Sequence, residues 1–253
     1  LSTNLLWERR ESLENTRHKG WFGVKAKPNT PRYADYRPMP ENELLKASVT
    51  VKFTPEQYYW MLGGKKYYDN SRYPTLTLFY ERAFSHGGSG TLSPSYQHAE
   101  LSLEQRIDFG MFNRFWWYAN VGSFKDGRNM QFADYKHFTT TRLPVTEHSL
   151  DKGFSLLDNY ERSTGRRWFQ ANLSWYTPYL LLKQMPFLKT KLFDEALHLR
   201  TLMVYKNNPY TEIGYSIGWT EMARIALFAG FDRLKYRSVG VSVSLSLMQI
   251  VGN

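Results

Sequence analysis

Alternation of apolar and polar residues is the dominant pattern of this chain, and it is clearest over Ala99–Phe109. Leu101 and Leu103 fall on one side of an extended strand, whereas Glu100 and Glu104 fall on the other. A period of two indicates β structure, because successive side chains of a strand point to opposite faces. A strand of about 9–11 residues with one apolar and one charged face has the length of a tilted bilayer crossing in a closed barrel.

The same alternation recurs along most of the chain and predicts about eleven strands. Because a closed single-chain bacterial barrel usually has an even number, we expect further strands before residue 1. A closed barrel of about ten or twelve strands is the alternative. The N-terminal residues also lack the basic and apolar regions of a signal peptide, so either a signal was removed or this is part of a longer chain. The second is favoured, because the first residues already look like a strand. The predicted strands span residues 5–7, 21–25, 45–53, 76–80, 99–109, 115–121, 169–175, 197–203, 213–219, 225–231 and 239–247.

Charged residues on the polar faces decide between a membrane barrel and a soluble β-sandwich or lipocalin-like barrel. Several charges on one strand cannot be buried in a small dry core without pairing, whereas a water-filled lumen accommodates them. The sequence therefore predicts an all-β fold in which residues 1–253 form the C-terminal part of an antiparallel transmembrane barrel. Polar residues expected to face the lumen, some as an ion-pair ladder, are His98, Glu100, Glu104, Arg106, Asp108, His198, Arg200, Glu212 and Arg224. Residues expected to face lipid are Leu101, Leu103, Val241, Val243 and Leu245.

Loop lengths predict an orientation, because bacterial barrels have short periplasmic turns and longer external loops. The turn Gly110–Asn113 is placed in the periplasm, which makes a segment at about 125–167 a long extracellular loop. Alternation from there puts the C-terminus in the periplasm of an outer-membrane protein. The remaining connections are then 177–194 inside, with an amphipathic helix at 186–192, 206–209 outside, 220–221 inside and 232–238 outside.

Composition supports this location and narrows the partners. Aromatic residues make up 17% of the chain, which suits the aromatic girdles of a barrel, and a mean hydropathy of −0.54 is compatible with a polar lumen and loops. The absence of cysteine excludes disulfides and thiolate metal sites. The net charge of +10 is scattered along the chain, which argues against nucleic-acid binding. Basic loops facing outer-membrane lipids and lipopolysaccharide fit better.

Two segments contain residues that could carry chemistry. The segment 86–90 reads His-Gly-Gly-Ser-Gly, like an esterase oxyanion motif, but no G-x-S-x-G elbow occurs and a flexible loop is predicted. Asp134, His137 and His148 could ligate a metal, but their spacing fixes no geometry, so an exposed, solvated loop is predicted. The sequence therefore predicts no catalytic residue, no metal and no cofactor.

Two functions of different classes remain open. The first is non-enzymatic: a barrel acting in transport, export or envelope assembly, or as a membrane scaffold for other outer-membrane proteins or lipoproteins. The second is an outer-membrane lipid hydrolase, since barrels of about twelve strands are within the range observed. A Ser–His pair facing lipid would distinguish the hydrolase. His98 and His198 are both expected on the lumenal side, which favours the first function.

Short segments, in order along nearly the whole chain, carry a family resemblance. They resemble the C-terminal region of a Bacteroidota outer-membrane family that joins an N-terminal carboxypeptidase-like regulatory domain to a large domain of unknown function ending in a barrel. The resemblance implies an outer-membrane barrel whose N-terminal half lies outside this chain, and it carries over no catalytic residue. The matching segments are 7–9, 13–16, 73–76, 132–138, 157–164, 182–189 and 210–217.

Overall fold

The fold is all-β, with no α-helix among the residues that the structure describes. The computed structural model describes residues 1–11, 40–69, 71–85, 92–110, 112–140, 145–146, 150–178, 180–181, 193–219 and 223–245. Within these ranges, no helix has the length and apolar character needed to span a membrane. The strands are β1 Ser2–Arg10, β2 Asn42–Phe53, β3 Tyr59–Leu62, β4 Lys65–Tyr68, β5 Thr75–Phe84, β6 Ser95–Phe109, β7 Asn113–Arg128, β8 Val145–Thr146, β9 Arg167–Thr177, β10 Phe193–Val204, β11 Tyr210–Trp219, β12 Ala223–Asp232 and β13 Lys235–Leu245.

Eleven of these strands form one sheet in the order β1-β2-β5-β6-β7-β9-β10-β11-β12-β13-β8. The pairs are antiparallel up to β13, which pairs in parallel with the two-residue β8 through Val243 and Val145. The sheet is not closed, because within the described ranges β1 at one end and β13–β8 at the other have no mutual pairing. Strands β3 and β4 form a separate hairpin, whose turn uses Gly63 and Gly64 at φ of 56° and 77°. Two successive positive φ values are the geometry of a type I′ hairpin turn, which favours glycine.

The large sheet has one covered face that holds ionic side chains and one face that exposes apolar side chains. On β10, His198 and Arg200 are each 1% exposed, whereas Leu197 and Leu199 between them are 40% and 42% exposed. Strand geometry sends alternate side chains to opposite faces, so His198 and Arg200 lie on a covered face with the buried Leu202, while Leu197 and Leu199 lie on an open apolar face. We call these the inner face and the outer face.

The inner face is covered by the chain between β7 and β9. Two parts of this stretch, residues 129–140 and 150–165, are together called the inner segment below. Phe154 and Leu157 of this segment are at most 1% exposed and lie in one apolar cluster with Leu202 of β10. The inner segment also contacts Arg10 of β1 and Arg237 of β13, which stand near opposite ends of the strand order. The sheet must therefore curl around the inner segment.

The strand predictions are confirmed wherever the structure describes the chain. Ten of the predicted strands coincide with observed strands of the large sheet. The last observed strand, β13, begins at Lys235, before the predicted start at residue 239, and residues 246–247 of the prediction lie outside the described residues. The predicted strand at 21–25 and the amphipathic helix at 186–192 lie outside the described residues. The β3–β4 hairpin was not predicted, because its sequence does not alternate.

Two loop predictions are wrong. Residues 125–128 belong to β7, and the inner segment that follows packs on the sheet instead of forming an exposed, solvated loop. The predicted loop at 232–238 is a two-residue turn, Arg233–Leu234, because β12 and β13 pair as far as Asp232 and Lys235.

Candidate functional site

A buried carboxylate on β11 binds the inner segment to the sheet. Glu212, which has no exposed surface, accepts hydrogen bonds from the backbone N–H groups of Ser155 and Leu156, each at 2.9 Å. Its carboxylate also accepts from the Tyr210 hydroxyl at 2.9 Å and pairs with Arg200 at 3.1 Å. Four donors therefore converge on one carboxylate, two on each oxygen, which satisfies a charge that would otherwise be costly to bury.

Arg200 of β10 connects the same carboxylate to two further points of the inner segment. Its guanidinium donates to the Ser155 hydroxyl at 2.9 Å and to the carbonyl oxygen of Leu150. The guanidinium also stands 4.2 Å from the centre of the Phe228 ring on β12, a cation–π arrangement. Arg200 and Glu212 form an ion pair, and each also hydrogen-bonds to the inner segment.

His198 lies two residues from Arg200 on the same face, between two hydroxyl groups. Its Nδ1 is 2.8 Å from the Ser174 Oγ and its Nε2 is 2.8 Å from the Ser216 Oγ. Asp151 of the inner segment stands 3.9 Å from His198 Nδ1 and accepts a hydrogen bond from the Tyr176 hydroxyl at 2.5 Å. The serine, histidine and aspartate types of a hydrolase are all present, but the imidazole is 1% exposed and lies under the inner segment. This arrangement joins the strands β9, β10 and β11 beneath the inner segment.

A second ionic cluster lies toward the other end of the sheet, on β6. The Glu100 carboxylate is 2.9 Å from His98 Nε2 and accepts from Lys136 of the inner segment at 2.7 Å and from Asn120 at 3.1 Å. The His98 ring stacks on Phe124, with ring centres 4.2 Å apart. As at Glu212, a sheet carboxylate accepts hydrogen bonds from the segment that covers it.

Further ion pairs fix the inner segment across almost the full width of the sheet. Asp134 pairs with Arg10 of β1 at 2.5 Å, which explains why this carboxylate is buried. Ion pairs with β6, β12 and β13 are Lys152–Glu104 at 3.0 Å, Arg162–Asp232 at 2.5 Å and Glu161–Arg237 at 2.7 Å. Isolated surface pairs contribute little, but this set joins one segment to four strands.

The polar residues singled out from the sequence all lie on the inner face, but in two different settings. His98, Glu100, Glu104, His198, Arg200, Glu212 and Arg224 contact the inner segment or the side chains beneath it. Arg106 and Asp108 lie at the exposed end of β6, where they pair with each other at 3.1 Å. The predicted ion-pair ladder on β6 is therefore found only at that end, and the two glutamates pair with lysines of the inner segment instead.

The residues expected to face lipid lie on the outer face. Val241 is 56% exposed, and the remaining four are partly exposed among their sheet neighbours. These four are Leu101, Leu103, Val243 and Leu245.

Sequence reasoning missed the partners that the inner segment supplies. Lys136, Asp151 and the N–H groups of Ser155 and Leu156 come from a stretch without periodicity, and a backbone N–H leaves no signature in a sequence. It also missed Glu195, which is fully buried and accepts from the N–H groups of Leu180 and Leu181. The one available signal was a carboxylate at an inward position of a strand, since buried carboxylates require donors.

The two candidate metal ligands that the structure describes, Asp134 and His137, have other partners. Asp134 is engaged by Arg10, while His137 Nδ1 is 2.8 Å from the Ser163 hydroxyl and its ring is flanked by Phe132 and Tyr160. Among the described residues, no group of three or more histidine or carboxylate side chains is placed to hold a metal ion. His148 and the segment 86–90 lie outside the described residues.

Comparison with known proteins places this chain in a family. A family model described as the C-terminal domain of a family of unknown function, DUF5686, matches residues 1–217. The chain belongs to this family. No curated protein and no solved structure matches it. The matched range includes the inner segment, Arg200 and Glu212, so the buried polar network belongs to the family domain and the comparison assigns no activity to it.

Proposed function

We propose that this chain is part of an outer-membrane β-barrel that acts in transport, export or envelope assembly, or as a membrane scaffold for partner proteins. The observation that carries the proposal is the burial of ionic groups on one face of the sheet opposite an open apolar face. Ionic and polar groups are buried on the inner face, while the outer face exposes apolar side chains from strand to strand. Bilayer-spanning barrels with polar interiors show this arrangement.

The extent of the open apolar surface supports a lipid environment. On the adjacent strands β11, β12 and β13, the residues Ile213, Ile225, Leu227, Val239 and Val241 are 52–58% exposed. Monomeric soluble proteins rarely expose a contiguous apolar patch larger than a few hundred Å². An open sheet edge is unstable in hydrocarbon. The proposal therefore also requires further strands that pair with β1 and with the part of β13 that β8 does not cover.

The inner segment favours a regulated or scaffolding barrel over an open diffusion pore. It occupies the side of the sheet that would form the lumen, and its ion pairs reach from β1 to β13. In a transport barrel, these ion pairs would have to break before a cargo could pass. In a scaffold, they would hold the inner segment rigidly in the lumen.

Membrane location can be tested by purifying the protein with and without surfactant. We expect it to remain monodisperse only in detergent or lipid and to resist extraction of membranes by alkaline carbonate. Stable, monodisperse protein in plain buffer would refute the proposal.

Regulated passage can be tested by conductance in planar bilayers. We expect low conductance from the wild-type protein and higher conductance from Glu212→Gln and Lys136→Gln, which weaken the inner segment at two separate points. Asp108→Asn, at the exposed end of β6, serves as the matched control. Unchanged low conductance in both variants would reject the gate and leave the scaffold.

The lipid hydrolase remains the second candidate because of one contact. Ser163 Oγ lies 2.8 Å from His137 Nδ1, and Ser163 lines an open cleft at one end of the sheet. A nucleophile and a base within hydrogen-bond reach are the minimum for acyl transfer. Release of fatty acid from phospholipid vesicles that is lost in Ser163→Ala would establish the hydrolase, and we expect no release above that of the variant.

A further inference from the structure

Three basic side chains gather round one tyrosine at the end of the sheet where β9 begins and β10 ends. The Tyr205 ring centre is 5.2 Å from the guanidinium carbon of Arg166, 5.9 Å from that of Arg167 and 5.6 Å from the Lys206 amine. Each distance is within the range of a cation–π contact. In the part of the chain that the structure describes, none of these cations pairs with a carboxylate.

Backbone hydrogen bonds fix the positions from which these exposed side chains extend. The Arg166 carbonyl accepts from Phe124 N–H and the Arg167 carbonyl from Tyr205 N–H, each at 3.0 Å. The Arg166 N–H donates to the Thr164 hydroxyl at 3.1 Å. Like charges held on a fixed frame repel one another, and an anion that binds between them removes this repulsion. The cluster therefore favours a negatively charged ligand.

A cleft of about 740 Å³ adjoins the cluster, between the strand ends and the inner segment. Among the described residues that line it, none is acidic, and several offer polar groups beside the two arginines. Gly165 lets the inner segment approach closely, since a Cβ at this position would stand 3.0 Å from the Tyr135 ring. The polar lining comprises Asn129, Ser163, Thr164 and Asn207.

The cluster lies at the boundary of the apolar outer face. Val121, Phe169 and Met203 are aligned across β7, β9 and β10 and are 39–46% exposed. Arg167 and Tyr205 occupy the next outward positions on β9 and after β10, two residues or about 7 Å further along the strands. A lipid whose acyl chains cover this apolar row would place its headgroup at Arg167 and Tyr205.

We infer that Arg166, Arg167 and Lys206 bind the phosphate of a membrane glycolipid headgroup, with Tyr205 and the cleft beside it receiving the adjoining sugar. This inference rests on the proposed membrane location and adds the ligand class and its site. Guanidinium groups suit phosphate because they donate two parallel hydrogen bonds, and aromatic rings at the membrane interface lie at headgroup level.

The test measures lipid binding to the protein in phosphatidylcholine nanodiscs that contain either a phosphorylated diglucosamine lipid or its dephosphorylated form. We expect the wild-type protein to prefer the phosphorylated lipid. The variant Arg166→Gln/Arg167→Gln/Lys206→Gln should lower its affinity roughly 100-fold, the product of about fivefold for each basic residue near the headgroup. Arg233→Gln/Lys235→Gln, which removes exposed charges from the β12–β13 turn, is the matched control and should retain the preference.

Each other outcome overturns the inference in a recognisable way. Equal affinity for both lipids, or an unaffected triple variant, would show that the cluster does not bind the phosphate. Inorganic phosphate that competes at comparable concentration would identify a site for the free anion instead of a lipid. Failure of the wild-type protein to enter nanodiscs would reject the membrane proposal itself, a result separable from insertion without phosphate preference.

Discussion

Replacing Glu212 by glutamine should loosen the inner segment more than any other substitution that removes a single charge from the inner face. The carboxylate receives two donors on each oxygen, from Leu156 and Tyr210 on one and from Ser155 and Arg200 on the other. A glutamine amide has one acceptor oxygen, so in either orientation its NH₂ group faces two donors. The substitution also leaves the buried Arg200 without its counter-charge.

The magnitude follows from these losses. Removing one partner of a buried ion pair costs about 3–5 kcal/mol, a range that includes the desolvated charge left behind. We expect Glu212→Gln to lower the free energy of unfolding by about this amount, a large part of the 5–15 kcal/mol of a typical domain. Adding Arg200→Met should restore part of the loss, because the unpaired charge is then removed.

The assay combines urea unfolding in lipid vesicles with hydrogen exchange of the Ser155 and Leu156 amides. Both amides should exchange faster in Glu212→Gln before the sheet itself opens. Asp108→Asn is the control, since this carboxylate is about 40% exposed and its loss should cost at most about 1 kcal/mol. Equal effects of the two variants, or unchanged exchange at Ser155 and Leu156, would refute the account of Glu212 as the anchor.

Three further predictions test the outer face, the inner packing and the pH response. Ile213→Arg, on the outer face, should cost about 2–4 kcal/mol in vesicles if it meets lipid, whereas Leu234→Arg, 98% exposed in a turn, should cost almost nothing; equal costs in urea unfolding would reject the lipid-facing assignment. Gly214→Val should cost about 1–3 kcal/mol by the same measurement, because a Cβ at this position would overlap the Phe228 ring, and a neutral effect would contradict that packing. Burial holds the pKa of His137 below its ordinary value, opposed by a backbone hydrogen bond with Phe132. The native state therefore favours the neutral ring. Packing of the inner segment on the sheet should be stable above the unfolded-state pKa of about 6.5 and should weaken as the pH falls below it. Protease cleavage of the inner segment should accelerate on acidification, and a pH response unchanged in His137→Gln would assign it to another group.

Most of the strand pattern was readable from the sequence because the signal is local. The inward and outward sides of β6 follow from a period of two that any strand imposes on its side chains. The same reasoning placed Arg200 and Glu212 on one face, since they stand at inward positions of neighbouring strands. Strand ends were less predictable, since β7 continues to Arg128 and β13 begins at Lys235. Pairing with a neighbouring strand extends both, and no single segment encodes that pairing.

The sequence alone therefore determined an all-β chain with one ionic and one apolar side to its strands. The tertiary structure decided what the ionic side contacts. Glu212 meets Ser155 across 57 residues of chain, and the bond depends on a backbone N–H that every non-proline residue has. Because no periodicity marks such a donor, the sequence placed the inner segment in solvent. In the structure this segment covers the inner face, where it pairs with charged side chains that the alternation had assigned to that face.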